Sequence, residues 1–254
     1  MERSVIQYCS MLDVILRACR HPISYSGIRR ITTLTFKEKI HEVGDIYSFI
    51  FTAEKLPDWR AGQHSIFTIP GRPIEDKTWR PFSIASAPHE NEIRIGTIVG
   101  PEPSSFKHHL STLNPGDKVR MFGPYGELYV NKKMRHVVGV AGGIGITPFR
   151  SIMADLAHAP TSTKLTLIYS ARVDQHVYKA ELEKWRSQNP NLEVIYTTTP
   201  EEVNSELTKQ VERHKNAAHY LLSGPPKMIE ALRDNLYKSG IARNHVLNDP
   251  FKGY

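Results

Sequence analysis

Residues 140–153 read VAGGIGITPFRSIM. An apolar run, HVVGVAG, leads into this stretch, and a helix-patterned run, TPFRSIMADLAHA, leads out of it. Gly142, Gly143 and Gly145 stand at the join. Pro148 falls in the first helical turn, where its missing N–H costs nothing. Glycines at such a junction let backbone N–H groups approach a pyrophosphate at the helix N-terminus. The G-x-G-x-x-G pattern is incomplete, because Pro148 takes the third glycine's place. A plain strand-to-helix turn would look the same, so the flanking sequence has to decide.

Downstream the rhythm repeats. LTLIYSA precedes VYKAELEKWRSQ, LEVIYTTT precedes NSELTKQVERH, and AHYLLSG precedes PKMIEALRDNLYKSG. Four apolar strands, each followed by a helix, predict a Rossmann-like parallel α/β domain over residues 134–254. Ligands of such sheets bind outside the carboxyl ends of the strands. Gly143 and the Ser223-Gly224-Pro225-Pro226 run therefore belong to one edge and could flank one extended ligand. Ser223 also reads as an ordinary helix N-cap.

Upstream, residues 32–133 alternate short β-like runs with turn residues: ITTLTFKEKI, IYSFIFTAE, HSIFTIP, RPFSIAS, EIRIGTIV, DKVRMFGP and GELYV. This spacing predicts an antiparallel barrel or sandwich. SSFKHHLSTL, 104–113, interrupts it as one short helix with an N-capping serine. RPFSIAS, 80–86, reads either as a half-buried strand or as a shelf for a flat, anionic cofactor. His108 and His109 are adjacent and do not share a helix face, so they read as surface residues.

Residues 1–31 form a separate piece. Val5, Cys9, Leu12, Leu16 and Cys19 recur at helical spacing, and Pro22 stops the pattern. An amphipathic helix that packs on the body, on a second copy or on a partner is expected. A mitochondrial transit peptide is the alternative, opposed by Glu2 and Asp13. A cytoplasmic location follows from the first reading and a mitochondrial matrix location from the second.

The chain has 254 residues and a net charge of +7, with 40% hydrophobic and 23% charged residues, ordinary for a globular protein. The charge divides as +3 over residues 1–31, −1 over 32–130 and +5 over 131–254. A basic C-terminal half suits a phosphate-bearing ligand or an acidic protein partner. No apolar run approaches the ~18 residues of a membrane span. The two cysteines, Cys9 and Cys19, cannot supply the four thiolates of an iron–sulfur cluster. No metal site and no nucleic-acid partner are expected.

RPFSIAS, AGGIGITP, SGPPKMI and the ending NDPFKGY, in this order, resemble the ferredoxin–NADP reductase superfamily over residues 32–254. The resemblance implies a Greek-key FAD-binding barrel followed by an NAD(P)-binding domain. It implies that Arg80, beside Pro81, pairs with the flavin's phosphates, that Phe82 lies on the isoalloxazine, and that Ser83 hydrogen-bonds flavin N5. The family's more usual tyrosine is absent at Phe82. Backbone at Thr97, Ile98 and Val99 would run beside the flavin, and Ser104, Ser105 and Phe106 would hold phosphate, which favours FAD over FMN.

Gly142, Gly143, Gly145 and Thr147 would hold NAD(P)H, with Gly224 and Pro225 across from them. Ser223 stands where relatives often carry cysteine, beside the transferring carbon. Phe251 or Tyr254 resembles the terminal aromatic that covers the flavin, and Asp249 is a candidate proton relay. At the second parallel strand, Ser170 and Arg172 replace the acid that would bind a ribose 2′-hydroxyl, with Tyr178 or Lys179 assisting. This leans to NADPH over NADH.

The implied activity is hydride transfer between NAD(P)H and FAD, with electrons passed to an external carrier. Ferredoxin or flavodoxin suits a basic reductase. A flavin, quinone or cytochrome reductase is a variant of this reading. A regulatory or electron-transfer subunit without turnover of its own is a reading of another class.

Overall fold

The computed structural model describes residues 22–159, 161–173 and 175–248. The helix expected over residues 5–19, and Asp249, Phe251 and Tyr254, lie outside them.

Six antiparallel strands form the first sheet: β1 (Ile31–Val43), β2 (Ile46–Thr52), β3 (His64–Thr68), β4 (Trp79–Ser83), β5 (Ile93–Ile98) and β6 (Lys118–Tyr125), in the order β4-β3-β6-β1-β2-β5. The sheet curls into a half-barrel. Its edge strands β4 and β5 are joined just past Ser83, where Ala85 N donates to Arg94 O at 2.7 Å and Arg94 N donates to Ser86 Oγ at 3.0 Å. Inward-facing aromatics fill the centre, with Phe36, Phe49, Phe51 and Phe67 all buried. Each such ring contributes about 1.5–3 kcal/mol on burial.

A helical turn, α1 (Pro22–Tyr25), and a 3₁₀ turn (Ser26–Arg29) precede β1. They are not detached from the barrel: Tyr25 is buried, with its ring 5.7 Å from that of Tyr125, and Gly126 N donates to Ser24 O at 2.9 Å. Helix α2 (Ser105–Ser111) lies between β5 and β6 and buries Phe106 and Leu110 in the barrel core, with Ser104 as its N-cap.

The second sheet is wholly parallel. Its strands are β7 (His136–Gly142), β8 (Lys164–Ser170), β9 (Leu192–Thr197), β10 (Ala218–Ser223) and β11 (Val246–Asn248), in the order β11-β10-β7-β8-β9. Four helices connect them: α3 (Thr147–His158), α4 (Lys179–Gln188), α5 (Pro200–His214) and α6 (Pro226–Lys238). Helix α5 shows how local sequence sets a start. Thr199 Oγ1 accepts from Glu202 N, the Glu202 carboxylate accepts from Thr199 N, and Pro200 fills the first helical position.

Two details differ from the sequence expectation. GELYV, 126–130, forms no strand. Leu128 instead turns into the apolar contact between the two halves of the molecule, and Tyr129 lies under the Arg60 guanidinium at 4.7 Å. The parallel sheet also has a fifth strand, β11, too short at three residues to give a periodic signal.

Strand β7 is central, with β8 and β10 on either side. Chain connections leave in opposite directions from this point, so a crevice opens at its carboxyl end. The half-barrel closes on that end. Ile46, Ala61 and Leu128 share one apolar cluster with Ile146, Ile152 and Tyr178.

Candidate functional site: a cleft between two loops and a barrel strand

The glycine turn was the first expectation and its geometry is informative. Gly142 and Gly145 lack side chains because another loop occupies the space. A Cβ at Gly142 would stand 2.6 Å from Met228 Sδ and 2.9 Å from Pro225 Cδ, and one at Gly145 would overlap the Ser223 carbonyl. The turn after β7 and the loop after β10 are thus in contact, and Gly142, Gly145, Ser223, Gly224 and Pro225 come together as expected. Gly143 is different. Its φ is +54° and nothing lies within 4 Å of where a Cβ would be. A left-handed glycine facing open space leaves backbone exposed to a ligand.

Thr147 is buried and its hydroxyl donates to Ile144 O at 3.1 Å, closing the turn. Ser223 is buried and is not a helix cap: Pro225 caps α6. That removes the helix-cap reading of this serine.

The barrel side meets this turn at β5. A Cβ at Gly96 would stand 2.9 Å from Thr147 Cγ2 and 3.3 Å from Ile144 Cδ1. The 97–99 segment therefore starts one residue from the glycine turn. Val99 N donates to Asp45 O at 2.7 Å. Thr97 is buried, whereas Ile98, the last residue of β5, is 44% exposed. A flat apolar ring would cover it.

Farther along the barrel, Arg80 is 5% exposed. Its guanidinium donates to Asp76 Oδ2 at 2.9 Å, to the Trp79 carbonyl at 2.9 Å and to the Lys77 carbonyl. It also lies 5.4 Å from the centre of the Phe106 ring. Pro81 is buried beside it; Phe82 is half-buried and packs edge-on against Phe67 at 5.7 Å and tilted against Phe106 at 6.2 Å. Ser83 ends β4, half-buried and in register with His64. Ser105 Oγ accepts from Glu75 N at 3.1 Å, while Ser104 Oγ caps the helix.

Burial, and then the positive charge of Arg80, hold both Lys77 and Lys107 below the usual lysine range. Lys77, Arg80 and Lys107 share one place with the Asp76 carboxylate, an excess of positive charge that a bound anion relieves. The residues fit a phosphate-bearing cofactor here. Lys77 and Lys107 escaped the sequence reading, although Lys107 lies inside the quoted SSFKHHLSTL.

The remaining expected residues are dispersed. Ser170 ends β8, in register with Gly142 and Thr197, and is half-buried. Arg172 is exposed beyond it, and the exposed Lys179 lies 5.1 Å over the Tyr196 ring. Tyr178 does not join them. It is buried between the two halves, with its hydroxyl 2.8 Å from Ser48 Oγ.

Comparison with known proteins agrees with this arrangement. Residues 140–234 match the family model of the oxidoreductase NAD-binding domain. Among curated relatives, a component of the Na(+)-translocating NADH-quinone reductase of Methylococcus capsulatus is 28% identical over 231 residues, which are 81% of this chain and 56% of that protein. The same component in Psychrobacter cryohalolentis is 28% identical over 239 residues, 84% of this chain and 57% of that one. The chain spans about half the length of the curated relatives it matches.

Among solved structures, ferredoxin-NADP+ reductase from Plasmodium falciparum superposes with a TM-score of 0.75 at 17% identity, covering 88% of this chain and 97% of that one. The cytochrome b5 reductase domain of Ulva prolifera nitrate reductase gives 0.72 at 21% identity, covering 87% and 98%. The half-barrel, the parallel sheet and the glycine turn between them define an NAD-binding oxidoreductase of two domains. The fold is that of the ferredoxin–NADP reductase-like structures.

Proposed function

We propose that the chain is a flavoprotein that moves a hydride between NAD(P)H and FAD and passes the electrons to an external acceptor. The contact of Gly96 with Thr147 and Ile144 carries this reading, because it brings the barrel segment 97–99 up to the glycine turn. When bound, the flavin supplies a ring that accepts a hydride and releases electrons singly.

The chain's residues supply the rest. Arg80, Lys77 and Lys107 would hold the phosphates, and Phe82 and Ile98 would offer apolar surface to the ring. Ser83 would hydrogen-bond at the ring nitrogen. Gly143 would admit the nicotinamide cofactor's pyrophosphate, with Ser223 and Thr147 at its reactive end. Asp249, Phe251 and Tyr254 keep their expected roles as proposals.

Arg172, exposed past β8 where an acid would select NADH, supports NADPH. The net charge of +7 supports an acidic carrier such as ferredoxin or flavodoxin. A second reading has its own support: the named relatives are components of an NADH-quinone reductase. On that reading NADH is the donor, and a quinone or a partner protein takes the electrons.

The test is direct. The purified chain is reconstituted with FAD and mixed in stopped flow with NADPH or NADH, and the reduced form is offered ferredoxin, flavodoxin, quinone and cytochrome. Flavin reduction by NADPH followed by transfer to ferredoxin or flavodoxin is expected. Reduction by NADH alone with transfer to quinone replaces the first reading with the second. A chain that does not retain FAD ends both.

A further inference from the structure

Helix α3 leaves the glycine turn and at once meets the other domain. Arg150, three residues after Thr147, is 1% exposed. Its Nη1 donates to Ala85 O and Glu90 Oε2, each at 2.8 Å. Its Nη2 donates to Glu90 Oε1 at 2.9 Å and Glu181 Oε1 at 2.5 Å, and its Nε donates to Glu181 Oε2 at 2.9 Å. A guanidinium has five N–H donors, and these five bonds use them all. The next residue, Ser151, donates to Ser86 O at 2.7 Å.

Ala85 and Ser86 are the last two residues of RPFSIAS. Glu90 follows them in the barrel, whereas Glu181 belongs to α4 of the other domain. Arg94 on β5 reaches the same Glu181 at 3.3 Å. Consecutive side chains on the helix after the glycine turn are thus tied to consecutive carbonyls at the end of the barrel's RPFSIAS strand. Two such ties fix an angle as well as a distance.

Stability alone is a weak reason to bury this group, since buried ion pairs are commonly replaceable by apolar residues at little cost. A directional fork is harder to replace. Lysine keeps the charge but has three donors on a point, and methionine has none.

We propose that Arg150 is a positioning residue for the hydride step: with Ser151 it sets the orientation of the glycine turn against the RPFSIAS strand, and hence of the two reacting rings. This rests on the function proposed above, in which that strand holds the flavin and that turn the nicotinamide. Arg150 itself would touch neither ring.

The experiment uses the full chain loaded with FAD, as the parent and as Arg150→Met, Arg150→Lys and the double variant Glu90→Gln, Ser151→Ala. Stopped flow reads the flavin reduction rate, the nicotinamide Kd and the long-wavelength absorbance of the stacked nicotinamide–flavin pair. Calorimetry of the flavin-free proteins reads whether the two domains unfold together.

Arg150→Met is expected to keep its flavin and its nicotinamide Kd, to lose the long-wavelength band and to reduce its flavin about 100-fold more slowly. Arg150→Lys is expected to stay slow, because charge without the fork does not set the angle. The flavin-free parent is expected to unfold in one transition and Arg150→Met in two.

If Arg150→Met does not fold, the double variant decides, because it removes the Ser151 tie to Ser86 O and the charge pair with Glu90 while keeping the guanidinium. A folded, flavin-loaded variant with the parent's rate and band overturns the proposal alone. A parent that accepts no hydride from either nicotinamide overturns the proposed function and this inference with it.

Discussion

The Tyr178 hydroxyl lies 2.8 Å from Ser48 Oγ, a bond between the parallel-sheet domain and the half-barrel. Both residues are buried, and Tyr178 holds a left-handed φ of +62° just before α4. Gly96 makes room for it, since a Cβ there would stand 2.6 Å from the hydroxyl. Tyr178→Phe strands the Ser48 hydroxyl in the contact and should lower stability by about 1–3 kcal/mol, read from urea unfolding. Burial pushes the Tyr178 phenol up to about 12 from an ordinary 10.0. Its contribution is therefore full below pH 10 and is lost as pH rises toward 12, and the phenylalanine variant should show a shallower decline, the remainder coming from Tyr169, Tyr196 and Tyr220, whose phenols burial also pushes up.

Arg80 is the cation on which the flavin phosphates are expected to depend. Arg80→Met should weaken FAD binding about 10- to 100-fold, in line with loss of hydrogen bonds to a charged group. Equilibrium dialysis of the flavin-free protein measures this. Relief of like-charge crowding should at the same time raise the titration midpoints of Lys77 and Lys107 toward the ordinary range.

Glu90 gives the ion-pair network a pH signature. Burial pushes its carboxyl upward, but hydrogen bonds and charge from Arg150, with help from Arg94, hold it below the ordinary 4.5. The unfolded chain then binds the proton more readily than the folded one. The stabilisation is complete above pH 4.5 and is lost as the pH falls through the depressed folded value. Glu90→Gln should lower stability at neutral pH by about 1–3 kcal/mol and flatten the profile below about pH 4.5, measured by denaturation across a pH series.

On the proposed function, Arg172 is the residue that separates the two nicotinamides. Arg172→Ala should raise the KM for NADPH roughly tenfold and leave that for NADH little changed, because only the former carries a 2′-phosphate for the guanidinium to hold. Equal effects on both would place the preference elsewhere.

The glycine turn was legible because apolar strand, three glycines and helix pattern lie side by side in the chain. RPFSIAS was legible as a barrel strand for the same reason, its strand-forming residues lying along one short run. Arg150 stands inside the quoted stretch, yet its role depends on Ala85, Glu90 and Glu181, which lie far away in sequence. The visible signal was only a charge within an otherwise apolar helix start, TPFRSIM. Tyr178 misled for the opposite reason. It stands near Arg172 in the chain, but its left-handed backbone turns the ring toward the barrel. GELYV had strand-like alternation, and the burial of Leu128 in the apolar cluster between the two halves overrode it.

The shared apolar cluster has a practical consequence for engineering. A chimera that grafted this nicotinamide module onto a foreign half-barrel would inherit Ile146, Ile152 and Tyr178 without Ile46, Ala61 and Leu128 to receive them. On the proposed reading, donor specificity is therefore better redesigned by substitution at the exposed Arg172 side chain than by exchanging whole modules.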